Sequence, residues 1–131
     1  MILIIDDEKN IRRTLAIVVE GEGFECEAAG SGEEGLMLLS QTSRVPEVVL
    51  LDEPYTGLDP HASAVLREQL ASLKDGRRTV VLVTHNMIQG LELADLIAIQ
   101  VQGRFASVTD AASLDLAELE ALYHATVEAP A

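Results

Sequence analysis

The chain has 131 residues, the size of one ordinary domain, and 48 % of them are hydrophobic, so it is neither disordered nor in need of disulfide staples. Nine basic against 22 acidic residues give a formal charge of −13, a field that repels nucleic-acid backbones and excludes DNA or RNA as expected partners. Cys26 is the single cysteine, which rules out an intrachain disulfide or a cysteine-based zinc site and reads as a small buried hydrophobe.

In chain order, Ile2–Ile5 is an apolar run of buried-strand type. The opening "MILIIDDE" turns acidic after five residues, so it predicts neither a leader nor a membrane span, and the expected location is cytoplasmic. Glu8–Glu20 carries apolar residues at 11, 15, 18 and 19, which is helical spacing, and Gly21 and Gly23 end it. Phe24–Ala29 is a second strand, Glu33–Gln41 a second helix and Val48–Leu51 a third strand. His61–Leu73 is a helix stopped near Gly76. Thr79–Val83 is a fourth strand, Met87–Ala94 a short helix and Leu96–Val101 a fifth strand. Residues 101–104, "VQGR", read as a tight turn, with Phe105–Val108 returning antiparallel at an edge. Leu114–Val127 closes the chain as a helix, apolar at 116, 119, 122, 123 and 127.

Continuous apolar strands alternating with amphipathic helices predict one α/β domain over residues 1–131, a doubly wound parallel sheet covered on both faces. In such sheets chemistry gathers beyond the carboxyl ends of the strands. Those ends carry Asp6-Asp7, Ala29-Gly30, Asp52-Glu53, Thr84-His85 and the Gln100–Gln102 region. Three of these five are residue types that handle phosphate and a hard cation, for which converging carboxylates are the usual oxygen ligands.

The stretch "ILIIDDEKNIRRTLAIVVEGEGFECEAAGSGEEGLMLL" resembles a response-regulator receiver domain over residues 1–52. The resemblance implies a flavodoxin-like fold, a Mg²⁺ site at Asp6, Asp7 and Asp52, and Asp52 as phosphoacceptor with Thr84 as the nearby hydroxyl. A histidine kinase or small phosphodonor is the partner under that reading alone, and otherwise none is required. The lysine receivers keep at the end of the fifth strand is absent, where "IAIQVQ" offers Gln100 and Gln102.

"VVLLDEPYTGLDP", "TVVLVTHNM" and "ELADLIAIQVQGRF" resemble the C-terminal part of an ABC-transporter ATPase domain over residues 48–112, leaving residues 113–131 as a terminal helix and tail. This second resemblance implies Asp52 at the Walker B position, Glu53 as general base, Asp59 in the D-loop and His85 as the switch histidine. No G-x-x-x-x-G-K-[ST] occurs, and neither the signature sequence nor a matching Q-loop is present, so ATP binding is not expected. "GSGEEG", Gly30 to Gly35, matches a dinucleotide fingerprint, but Glu33 and Glu34 would repel a pyrophosphate there. Ser31 as a helix cap with Glu34 completing a capping box is the better reading.

Both resemblances share "VVLLD". The expectation is an engineered half-domain chimera joined inside that strand, with strand order 2-1-3-4-5 and an antiparallel edge strand beyond. The alternative, ABC-type topology, gives 2-3-4-1-5. No complete catalytic activity is expected. The alternatives are a phospho-receiver accepting phosphate at Asp52 and an ABC-type nucleotide-binding fragment.

Overall fold

A computed structural model describes residues 1–41, 46–74 and 76–128, with Gln41 described in its backbone only. The last three residues of the expected tail, 129–131, lie outside the described set. The chain forms two compact units, Met1–Val83 and Thr84–Ala131.

The first unit runs β1 (Ile2–Asp6), α1 (Lys9–Gly21), β2 (Cys26–Ala29), α2 (Gly32–Gln41), β3 (Val48–Asp52), α3 (Pro60–Ser72) and β4 (Thr79–Val83). Its four strands are all parallel, in the order β2-β1-β3-β4. This is the order expected of a flavodoxin-like sheet. The alternative, with β1 away from β2 and β3, is excluded, because β1 hydrogen-bonds to both. Leu3, Ile4, Ile5 and Asp6 are buried in succession, so both faces of β1 are covered, as an all-parallel strand of continuous apolar residues requires. Ala29 of β2, Val49 and Leu51 of β3, Leu66 and Leu70 of α3 and Leu73 just beyond it add to the core of this unit.

Helix α1 turns a different face inward from the one its spacing suggested. Arg12, Leu15, Ala16 and Val19 are half-buried, whereas Ile11 and Val18, expected on the packed face, are exposed. Helix α2 presses closer to the sheet. A Cβ placed on Gly35 would overlap Ile5 Cδ1, which is sealed in the core and has nowhere to go. Gly35→Ala therefore pits a helix-propensity gain of about 1 kcal/mol against an overpacking cost of about 1–3 kcal/mol. The overlap wins: urea unfolding of Gly35→Ala is expected to show a net loss of about 1–2 kcal/mol.

The second unit contains α4 (Met87–Leu93), β5 (Leu96–Val101), β6 (Arg104–Asp110), a 3₁₀ turn (Ala111–Ser113) and α5 (Leu116–Val127). Strand β5, expected as a fifth parallel strand, forms with β6 a separate two-stranded antiparallel sheet. Gln102 and Gly103 at the hairpin tip both have positive φ, 51° and 78°, the pairing whose twist suits a two-residue hairpin. The strand after it is longer than Phe105–Val108, and the ladder has a bulge at Ile99/Gln100. Helix α5 begins at Leu116 rather than Leu114. Leu114 N donates to Ala111 O, closing the 3₁₀ turn, and Asp115 forms a reciprocal capping box with Glu118. Leu119 is buried, and α5 packs on α4 and β5. No helix among the described residues is long and apolar enough to cross a membrane.

Candidate functional site

The carboxyl ends of β1, β2 and β3 open into a cleft of about 430 Å³ in the first unit. Register builds its floor. Asp6 is the partner of Asp52 on the neighbouring strand, and paired residues of a parallel ladder send their side chains to the same face, about 4.8 Å apart. Asp6 is 3 % exposed; Asp52 is half-buried. Asp6 Oδ1 accepts from Glu8 N at 2.9 Å, its carbonyl accepts from Arg12 Nη1 at 2.7 Å, and Oδ2 is buried with no hydrogen-bond donor while Asp52 is ionised.

The consequence appears at Asp52. Burial raises its pKa first, the charges of Asp6 and Glu53 next, then a hydrogen bond to Asp6, and Asp7 least. That hydrogen bond exists only when one of the two carboxyls carries a proton, which is why it favours the neutral form. Asp7, one residue past the strand and exposed, acts only at longer range. Among the described residues no group of three or more His, Cys, Asp or Glu is placed to hold a metal ion. The floor is a pair of carboxylates in contact, with a third charge at its rim.

Glu53 continues β3 with its amide donating to Val83 O at 2.8 Å, and its φ of 47° is left-handed, where a non-glycine residue is strained. The chain then turns twice, through Thr56 N to Glu53 O at 3.2 Å and Leu58 N to Tyr55 O at 3.2 Å, with Gly57 at φ 80°. These turns deliver Asp59 to the N-cap of α3, where its side chain accepts from Ala62 N at 2.7 Å and Pro60 opens the helix. In this structure Asp59 has a helix-capping role. Leu58, Ala62, Val65 and Leu66 of this segment form an apolar wall, which the helical spacing of residues 62, 65 and 66 could have signalled.

The start of α2 forms the opposite side. Ser31 Oγ accepts from Glu34 N at 3.1 Å, as a cap should, but Glu34 Oε2 accepts from Gly30 N at 2.8 Å instead of the Ser31 amide. The capping box is thus shifted by one residue on its return bond. A glutamate carboxylate thus occupies the Gly30 amide just ahead of α2.

Thr84 and His85 belong to the second unit. Thr84 Oγ1 accepts from Asn86 N at 3.0 Å, Asn86 Oδ1 caps α4 by accepting from Gln89 N at 3.1 Å, and His85 is exposed. Cys26 is half-buried rather than buried, and burial, then Glu20 and Glu27, pushes its thiol pKa up, so it stays protonated and unreactive at neutral pH. Arg12 was not singled out by sequence, because an arginine in a first helical turn carries no signal that it will reach back to a strand-end carbonyl.

Fold and floor together define an α/β protein with a parallel, flavodoxin-like sheet and an acidic cleft at its carboxyl edge. Residues 35–88 match the family model described as "AAA domain, putative AbiEii toxin, Type IV TA system". The chain is 43 % identical over 74 residues to the phosphate import ATP-binding protein PstB 2 of Mycobacterium tuberculosis, covering 56 % of this chain and 26 % of that protein. It is 37 % identical over 82 residues to PstB of Shewanella denitrificans, covering 63 % and 30 % respectively. The chain thus spans under a third of the length of these curated relatives. Among solved structures it is similar to a response-regulator receiver domain protein from Clostridium thermocellum, with TM-score 0.54, 25 % identity and coverage of 70 % of this chain and 71 % of that one. It is also similar to an ATP-binding subunit of an ABC transporter, with TM-score 0.51, 28 % identity and coverage of 60 % and 35 %. Likeness to receivers and to ABC ATPases is therefore present in both sequence-derived expectation and comparison.

Proposed function

We propose that the chain is an engineered recombination of a receiver-like segment, residues 1–52, with an ABC-ATPase-like segment, residues 48–112, and that it performs neither parent's complete reaction. The observation that carries this reading is the position of β3. On one side it pairs with β1, Ile2↔Val48 through Asp6↔Asp52, and on the other with β4, Val48↔Thr79 through Asp52↔Val83. One strand thus serves a receiver-like neighbour and an ABC-like neighbour in unbroken register. The carboxylates of Glu33 and Glu34 in the first turn of α2 and a net charge of −13 both oppose a triphosphate.

Calorimetry with Mg-ATP tests it. The expected result is no binding tighter than about 100 µM, roughly 5.5 kcal/mol; tighter binding would support the ABC-type nucleotide-binding alternative.

One observation favours a residual receiver-type capacity. Asp52 is crowded against Asp6, and one or two carboxylates with retained waters are a common Mg²⁺ environment. Asp52 is then the acceptor of any acylphosphate, formed slowly for want of the lysine that neutralises the phosphoryl group. Mass spectrometry after acetyl-phosphate treatment should show at most slow labelling, absent from Asp52→Asn; rapid labelling would restore the phospho-receiver alternative, fed by a histidine kinase or small phosphodonor.

A further inference from the structure

The cleft of the first unit pairs an acidic floor with an apolar wall, and neither likeness uses that combination. Asp6, Asp7, Glu33, Asp52 and Glu53 line it together with Leu58, Ala62, Val65 and Leu66, while among the described residues no lysine or arginine does. We propose that it binds a primary alkylammonium ion, the charged head at the Asp6–Asp52 pair and the alkyl chain along the α3 wall.

Three features select this ligand class. With both carboxyls ionised, Asp6 Oδ2 is a buried acceptor without a donor, in a residue 3 % exposed, and an ammonium head brings three donors and no acceptor. A phosphate or carboxylate is disfavoured, since the Gly30 amide ahead of α2 is held by Glu34 Oε2 and the acidic side chains lining the cleft would repel it. A metal ion held by the carboxylate pair would leave the apolar wall unused. An alkyl chain uses that wall. At about 430 Å³ the cleft lies within the ordinary size range of small-molecule sites, about 300–1,000 Å³. This binding goes beyond the reading of the chain as a recombined protein and does not depend on it, because Mg-ATP and acetyl phosphate report on different chemistry.

The test is a set of NMR titrations of the full chain at pH 7 with hexylammonium chloride, methylammonium chloride and 1-hexanol. A fully buried methylene contributes about fourfold in affinity, so even partial burial of five should favour hexylammonium over methylammonium by about twentyfold or more. The expected result is a millimolar Kd for hexylammonium, at least about tenfold tighter than for 1-hexanol, with amide shifts at Asp6, Asp52 and Leu66. Asp52→Asn should weaken it about tenfold and Val65→Ser, on a partly exposed position, about threefold, each variant's own spectrum confirming the fold. Equal binding of 1-hexanol would reduce the cleft to a greasy groove, and equal binding of methylammonium to a general cation site. Either outcome overturns the proposal, as do unchanged binding by Asp52→Asn, shifts confined to other residues, or no binding at all.

Discussion

Replacing Leu51 by alanine is expected to remove about 3–4 kcal/mol of stability, the largest single effect of any substitution considered. Leu51 is 0 % exposed, in β3, paired with Ile5 on one side and Leu82 on the other. Truncating a leucine in such a place costs the lost transfer energy plus the cavity left behind, about 2–5 kcal/mol, and a site walled by main chain on two sides collapses poorly. With a typical urea dependence of about 1.5 kcal/mol per molar, the midpoint should fall by about 2 M. The control is Val81→Ala on β4. Val81 is 41 % exposed at the edge of the four-stranded sheet, and its truncation should cost under about 1 kcal/mol. Similar losses at both positions would mean that β3 is not the strand on which the first unit depends, and would remove the physical basis for placing the junction of two segments there.

The elements that were legible are those whose signal is local. Thr79–Val83 and Leu96–Val101 have the bounds that their apolar runs announce, and β1 and β3 differ by one terminal aspartate each. The face of α1 was not legible because Leu15 to Val19 are all apolar, so almost any rotation presents a hydrophobic stripe; contact with the sheet chose Leu15, Ala16 and Val19. The start of α5 has a local signal as well: Asp115 with Glu118 three residues on is a capping box ahead of an apolar run. The separate pairing of β5 with β6 is a choice between long-range partners, on which an apolar pattern is silent. At the candidate site, residue types were readable and roles were not. Asp6 and Asp7 are identical in sequence, yet the register puts Asp6 against Asp52 and leaves Asp7 exposed beyond the strand. The apolar wall from α3 needed the fold to bring it over the carboxylates.

Removing the charge of Asp52 should stabilise the protein at neutral pH and take away most of its response to Mg²⁺. The folded-state pKa of Asp52 lies above the ordinary carboxylate value, by burial first and by the charges of Asp6 and Glu53 next. A carboxyl group whose pKa is raised by folding supports the fold fully only below its unfolded value, and that support is lost as pH rises through the folded one. Wild type should therefore lose stability, from this group, as pH climbs from the ordinary aspartate range through the elevated value, whereas Asp52→Asn should not. Because Asp52 is half-exposed, solvent screening limits the gain in the variant at pH 7 to about 0.5–1 kcal/mol. A cation that binds the folded carboxylate pair acts in the same direction and further. Mg²⁺ present at a hundredfold over its Kd would add about 2.7 kcal/mol to wild type, since only the folded chain holds Asp6 beside Asp52. Thermal melts of both proteins from pH 4 to 8, with and without millimolar Mg²⁺, separate the two contributions. The expected pattern is a metal-free variant more stable than metal-free wild type at pH 7, a difference that shrinks toward pH 4, and a Mg²⁺ stabilisation largely confined to wild type. Equal Mg²⁺ shifts in both proteins would place any cation away from Asp52, and a pH-independent difference would show that the two carboxylates splay into solvent, where screening leaves little repulsion for a proton or a metal to relieve.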